Sequence, residues 1–315
     1  GNLTAADLPV TSRDEIGQLA TAFNTMKQNW QLYILLGPFL VLFFLLTVLP
    51  VLSSVVLSLF NFDMVSLPKF IGFENYIRMF IEDDIFLTVL KNTIVLAILT
   101  GPAGFLLSFV LAWMINEFGP FLRTVLSFMF YVPALTGGGL LIWTIMFSGD
   151  SYGYINALLL SLGIITSPIQ WLSNANAIVP IVVAVQLWSS MGVSFLANIS
   201  ALQNVNPELY EAGAVDGIRN RWQELWYITL PGMKSMLIFS AVMTIASAFS
   251  ISSIITQLAG YPTVNYAADT IVSYLNDVGS VKYEMGYASA LSVILFALMF
   301  GTRKLFVSLL NKVGE

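Results

Sequence analysis

Apolar residues in this chain gather into long runs separated by short polar stretches. A helix needs about 20 apolar residues to cross a hydrocarbon core of about 30 Å. Six runs are long enough: Tyr33 to Leu59, Leu90 to Ile115, Val125 to Phe147, Ala177 to Leu202, Met233 to Ile255 and Tyr287 to Leu309. The pattern predicts an all-α integral membrane protein with six transmembrane helices. None of the runs carries an unpaired charge near its middle. Pro38, Pro50, Pro102 and Pro133 fall inside runs and should kink them, because neighbouring helices can satisfy the freed carbonyls.

An even number of spans leaves both termini on one side, and the basic residues choose the side. With the termini cytoplasmic, Arg13, Lys27, Arg123, Arg219, Arg221, Lys234, Arg303, Lys304 and Lys312 lie inside, against Lys69, Arg78, Lys91 and Lys282 outside. The first outer loop is acidic, with Asp63, Glu74, Glu82, Asp83 and Asp84, and the second, Ser148 to Asn176, has no basic residue. Apolar and turn residues at Phe70 to Phe73, Tyr152 to Leu160 and Tyr261-Pro262 suggest short interfacial helices in the outer loops.

Composition then removes most enzymes. Hydrophobic residues make up 57% of the chain and charged residues 10%, which excludes a soluble domain. Without a single Cys or His, thiolate or imidazole metal sites, Ser-His triads and histidine switches are impossible. A net charge of -5 with no basic run gives no footprint for nucleic acid. There is no Gly-rich phosphate loop. Neither an internal repeat nor an inverted pair of interrupted helices is visible, which argues against secondary transport. The polar segment ahead of the first apolar run does not read as a cleavable signal peptide.

The inner loop between the fourth and fifth runs, 203–232, is the most informative stretch. It contains NPELYEAGAVDGIRNRWQELWYITLP from Asn206 to Pro231, which reads as two short helices. Asn206 can cap the first, Pro207 suits its first position, Glu208 sits where the helix dipole favours an anion, and Gly217 can end it in a left-handed conformation. Ala212, Gly213 and Ala214 would let another protein approach the backbone closely. The bland alternative is a polar connector lying on the membrane surface.

Glu211-Ala212, Asp216-Gly217 and Ile228-Thr229-Leu230-Pro231 resemble the EAA motif of importer-type ABC permeases. In that family the segment is a coupling helix seated in a groove of a cytoplasmic ATPase. The resemblance therefore implies that Glu208, Glu211, Ala212, Gly213, Asp216 and Gly217 form the docking surface. Gly213 stands where an alanine is usual, and the gap from Gly217 to Ile228 is one residue longer than the common spacing. The likeness runs from about Tyr33 to the C-terminus and is strongest to the carbohydrate-uptake group. FIGFENYIRMF at 70–80, Asn92-Thr93, Arg123-Thr124 with Tyr131-Val132-Pro133, and Gly286-Tyr287-Ala288 with Ser289-Ala290 resemble the larger subunit of the maltose permease. The chain lacks that subunit's large outer insertion and extra leading helices. The resemblance implies a bacterial cytoplasmic membrane protein that carries a sugar inward. It also implies a second permease, two ATPase copies and an extracellular solute-binding protein. This chain then needs no cofactor, since ATP and Mg belong to the ATPase.

Polar groups inside a bundle usually face its interior or a wet cavity. Gln186, Ser189, Ser190 and Val193 in the fourth span, and Thr244, Ser247, Ala248 and Ile251 in the fifth, each follow the i, i+3, i+4, i+7 spacing of one helix face. Aligned by the family motif, these positions match sugar-facing ones. An aromatic and several asparagines there correspond to Val193, Ser247, Ala248 and Ile251 here, which counts against maltose itself. Helix packing through Ser, Thr and Gly is the competing reading. Trp188 reads as packing, and Gly137 to Gly139 as close packing or a hinge.

Residues 1–30 form a separate cytoplasmic segment ahead of the permease domain at 31–315. DEIGQLATAFNTM, from Asp14 to Met26, resembles the second helix of a HAMP linker, with Ile16, Leu19, Phe23 and Met26 on one apolar face. An amphipathic helix against a partner or the membrane surface is the favoured reading. A membrane sensor that relays a signal through this segment is the alternative, but it would need an output domain and has no use for the 211–217 motif.

Overall fold

The computed structural model describes residues 36–135 and 140–311. The amphipathic segment expected at 1–30 and the glycines at 137–139 lie outside the described residues. The chain divides into a unit ending at Leu57 and a second from Ser58 onward.

The first unit contributes helix α1, Leu36–Leu57. Pro50 offers no N–H to the carbonyl one turn earlier, and the helix widens into a π turn at Phe44–Val48 just before it.

The second unit opens with a two-stranded antiparallel hairpin, β1 Phe60–Asn61 and β2 Lys69–Phe70. A short helix, α2 (Glu74–Ile77), and a π turn lead into α3, Asp84–Asn116. At about 1.5 Å per residue, its 33 residues extend about 50 Å. The apolar pattern placed its start at Leu90. The true start is set by Asp83, whose carboxylate accepts the N–H of Phe86 at 3.0 Å, so the polar first turns join the helix.

Within the third expected span the described residues form α4, Pro120–Leu135, and α5, Leu140–Met146. In the following loop lies α6, Tyr154–Ser161. Its fully buried Asn156 donates to the carbonyls of Ser148, Asp150 and Ile169 and accepts from the Ile169 N–H and Trp171 Nε1.

The fourth span is not the continuous helix that its apolar run predicts. It consists of α7, Ala175–Ser189, and α8, Val193–Asn204, bent by 41°. Gly192, at φ -107° and ψ -125°, leaves helical geometry, and the pattern of apolar residues carries no trace of that turn. After the inner helices α9, Pro207–Val215, and α10, Arg221–Glu224, the fifth span runs through α11, Lys234–Phe249, and α12, Ser252–Ala259. A loop and the short helix α13, Ile271–Asn276, lead to α14, Met285–Asn311. Among the described residues four helical stretches are long and apolar enough to cross a membrane, or five if the bent pair counts as one.

Helix α3 is the centre of this unit, packing against α7, α8 and α11, while α11 also packs on α14. Gly104 makes the approach possible, since a Cβ there would lie 3.2 Å from Ser190 Oγ and 3.4 Å from Thr244 Cγ2. Around this contact Ser194 Oγ donates to the Ser240 carbonyl at 3.1 Å and Thr244 Oγ1 donates to Ser194 Oγ at 3.0 Å. Small residues and hydroxyls thus serve close helix packing here, as they do where no hydrophobic force joins helices within lipid.

At the end where α3 begins, the Asp83 carboxylate also accepts the hydroxyls of Tyr274 at 2.5 Å and Tyr287 at 2.6 Å. Burial alone would raise its pKa, but the two phenols and the Phe86 N–H outweigh that and hold it below the usual range. Burial and the adjacent Asp83 charge in turn push the Tyr274 hydroxyl upward.

Candidate functional site

Two places bring the sequence-selected residues together, and they lie on different parts of the fold. The first is the inner loop. Asn206 caps α9 by accepting the Glu208 N–H at 3.1 Å, and its amide reaches the Glu208 carboxylate at 3.2 Å. The helix ends in a Schellman arrangement. The Ile218 N–H donates to the Gly213 carbonyl at 2.9 Å, that of Gly217 to Ala214 at 3.4 Å, and Gly217 has φ +96°.

This geometry sorts the six docking candidates. Glu208, Glu211, Ala212, Asp216 and Gly217 are exposed, and Glu211 and Asp216 form no ion pair among the described residues. Gly213 is buried instead, so it does not join Ala212 and Ala214 as an approach surface for another protein. A Cβ on it would stand 2.7 Å from Ile228 Cδ1 and 3.1 Å from Ile218 Cδ1. The glycine is matched to the isoleucines beneath it. Tyr210 and Thr229 share a hydrogen bond of 2.9 Å, which fastens α9 to the π turn Leu225–Thr229 after α10. Further on, Trp222 packs on Trp113 with ring centroids 5.4 Å apart, and Arg221 pairs with Glu117 at 2.6 Å and Glu224 at 2.8 Å. The loop is thereby attached to the end of α3.

The second place is a cavity of about 360 Å³ in the bundle. It is lined by Ala134, Leu140, Gln186, Trp188, Ser189, Ser247, Ser250, Ser253, Ile254 and Gln257. Gln186 is 3% exposed and donates to Ser247 Oγ at 3.1 Å. Trp188 packs edge-on against Trp143 at 5.5 Å, as the sequence led one to expect, and also forms part of the wall.

Of the eight pathway candidates only Gln186, Ser189 and Ser247 line this cavity. Ser190 and Thr244 are buried against Gly104. Val193, 49% exposed, opens α8 beyond the Gly192 break, which removes it from the face of Gln186. Ala248 and Ile251 are buried, Ala248 beside Gly101 and Ile251 in an apolar cluster with Ile181, Val185 and Ile255. The stripe of Thr244, Ala248 and Ile251 is thus the core face, and Ser247 stands at its edge. The sequence reading missed Ser250, Ser253 and Gln257. Their recurrence from Ser247 at steps of three and four was the available signal.

Among the described residues no cluster of acidic side chains is placed to hold a metal ion. A family model described as a binding-protein-dependent transport system inner membrane component matches residues 104–312, and a HAMP domain model matches residues 1–29. The chain is 31% identical over 288 residues to the arabinooligosaccharides transport system permease protein AraP of Halalkalibacterium halodurans, covering 90% of this chain and 88% of that one. It is 30% identical over 262 residues to the diacetylchitobiose uptake system permease protein NgcF of Streptomyces coelicolor, covering 78% and 73%. Its fold is similar to a solved chain of a bacterial ABC transporter involved in import of the acidic polysaccharide alginate. There the TM-score is 0.75 and the identity 23%, over 94% of this chain and 100% of the other.

Proposed function

The chain belongs to the binding-protein-dependent transport system inner membrane components, the permeases of ABC importers, and from that premise we propose that it carries an oligosaccharide inward across a bacterial cytoplasmic membrane. It is a transport subunit and not an enzyme. A second permease, two ATPase copies binding ATP and Mg, and an extracellular solute-binding protein complete the machine. Both termini are cytoplasmic in this reading. Six spans follow from α1, α3, α4 with α5, α7 with α8, α11 with α12, and α14. Residues 1–30 form a cytoplasmic segment apart from the permease domain at 31–315.

One observation carries the reading: α9 presents Glu211, Ala212, Asp216 and Gly217 to solvent while Gly213 and Tyr210 anchor it to the chain beneath. A helix so built can receive a push on one face and pass it to the bundle from the other. Gly217→Val places a β-branched residue at φ +96°, at a cost of about 1–2 kcal/mol, and misdirects the helix end. Glu211→Ala removes an exposed charge that forms no ion pair among the described residues. The reconstituted complex should keep its subunits in both variants yet lose most binding-protein-stimulated ATP hydrolysis and uptake. Full stimulation and uptake in both variants, at normal assembly, would remove α9 from the coupling role.

The sugar class rests on the cavity. Its amides and hydroxyls suit sugar hydroxyl groups, and Trp188 supplies an apolar ring face. Gln186→Leu, near-constant in volume, should lower uptake of the transported sugar or change its preference among arabinotriose, diacetylchitobiose and maltotriose. Unchanged uptake of every transported sugar would assign Gln186 to packing.

A further inference from the structure

Exposure divides the walls of the bundle cavity. Gln186 is buried and its amide nitrogen is engaged with Ser247, so direct contact with an occupant falls to the exposed residues. Ser247, Ser250, Ser253 and Gln257 line the cavity and all four are exposed. They follow one another at steps of three and four, which keeps them on one face of the fifth span. At about 1.5 Å per residue they make a polar file about 15 Å long, leading towards the end of α12. Ser250 Oγ donates to the Ala246 carbonyl at 2.9 Å, which leaves its lone pairs to accept. The Gln257 amide forms no hydrogen bond among the described residues, so it can both donate and accept.

The same walls carry no charge. The cavity is lined from α4, α5, α7, α11, α12 and the turn between the last two, and among the described residues of these helices only Arg123 and Lys234 are charged. Lys234 is the first residue of α11, about 20 Å along the helix from Ser247. Arg123 lies in the first turn of α4, about 16 Å along that helix from Ala134. Neither is placed to meet an occupant. A sugar hydroxyl exchanges hydrogen bonds with water for hydrogen bonds with these walls, whereas a carboxylate would give up its hydration without gaining a counter-charge.

We infer that this cavity selects neutral saccharides against acidic ones, with Ser250, Ser253 and Gln257 as the residues that read the sugar. The inference rests on the sugar pathway proposed for this cavity, to which it adds a charge class and a set of contacts. A charge held at membrane depth without a partner is disfavoured by about a hundredfold in equilibrium terms. An acidic trisaccharide should therefore bind about a hundredfold more weakly than a neutral one.

The chain has no cysteine, so a single Ser189→Cys on α7 reports on occupancy. The permease and ATPase complex in lipid nanodiscs, free of binding protein so that only the permease selects, is alkylated with a maleimide and read at that site by mass spectrometry. The probes are arabinotriose, diacetylchitobiose and maltotriose, against trigalacturonate. A neutral sugar should protect the cysteine, and trigalacturonate should need about a hundredfold higher concentration to do the same. Combining Gln257→Leu with Ser250→Ala should weaken neutral protection by about tenfold or more, and Ser253→Lys should bring trigalacturonate to within about tenfold of the neutral sugar. Equal protection by trigalacturonate and a neutral sugar without Ser253→Lys would overturn the charge selection, as it would if the second permease supplied a cation, and would leave the pathway standing. Neutral protection unchanged by Gln257→Leu with Ser250→Ala would overturn the assigned contacts and also leave the pathway standing. Protection by none of the four probes would sink both the selection and the pathway.

Discussion

The two ends of the bundle are held together in opposite ways. Where α3 begins, a single carboxylate, Asp83, receives a backbone N–H and two phenol hydroxyls, and both tyrosines are almost completely buried. Where α3 ends, the polar links to α10 are exposed ion pairs, with the Arg221 side chain 62% accessible, beside the contact of Trp113 with Trp222. Buried polar groups are expensive to separate, because each loses its partner away from water. Exposed pairs break at little cost, since water replaces each partner. The first end is built to stay, and the second can be rearranged by a partner whose binding energy is modest. That division suits the coupling role proposed for α9.

Removing the carboxylate should have the largest effect. Asp83→Ala deletes the cap of α3 and strands the hydroxyls of Tyr274 and Tyr287, for a combined loss of about 3 kcal/mol. Thermal unfolding in detergent should show the loss, and Asp83→Asn, which can still cap, should recover part of it. Acid should expose the same group. Because the folded state holds Asp83 below its ordinary pKa, its charged form contributes stability that is complete above the unfolded value of about 3.9. That contribution fades as pH falls through the folded value. The deficit of Asp83→Ala should therefore be the same at neutral and mildly acid pH and shrink only in stronger acid. A deficit that shrank already between neutral and mildly acid pH would mean that Asp83 is not held in its charged form.

At the opposite end the expected losses are small. Arg221→Ala or Glu117→Gln breaks a solvent-exposed pair, so stability should fall by less than about 1 kcal/mol and the difference should vanish in high salt. A much larger, salt-independent loss would show that both ends are rigid and that the contrast between them is false.

The two ends also differ in how well they could be read from the amino acids. Asn206, Pro207 and Gly217 act through local backbone chemistry, so cap, first turn and left-handed stop were legible in order. The break at Gly192 was not, since apolar residues continue across it and only the surrounding packing bends the chain. Helical spacing likewise grouped Thr244, Ser247, Ala248 and Ile251. Thr244 packs on Gly104, Ala248 on Gly101 and Ile251 among Ile181 and Val185, all far away in sequence, and those contacts make three of the four core residues. Asp83 was counted only as a loop charge, because its tyrosine partners lie about 200 residues further along.

The smallest expected effect tests whether the compliant end tolerates a change at its most enclosed point. Gly213 is buried in α9, and an added Cβ would meet Ile228 Cδ1 at 2.7 Å and Ile218 Cδ1 at 3.1 Å. Both atoms are ends of flexible side chains, which can give way by an off-rotamer shift costing about 0.5–1.5 kcal/mol. Against that, alanine favours the helical state over glycine by about 0.8–1.0 kcal/mol. The terms nearly cancel, so Gly213→Ala should change the unfolding temperature little and leave uptake intact. Gly213→Val adds two methyl groups that have no such room, and should lower both. If Gly213→Ala were as damaging as Gly213→Val, the isoleucines would be fixed in place, and the loop would be as rigid as the Asp83 end.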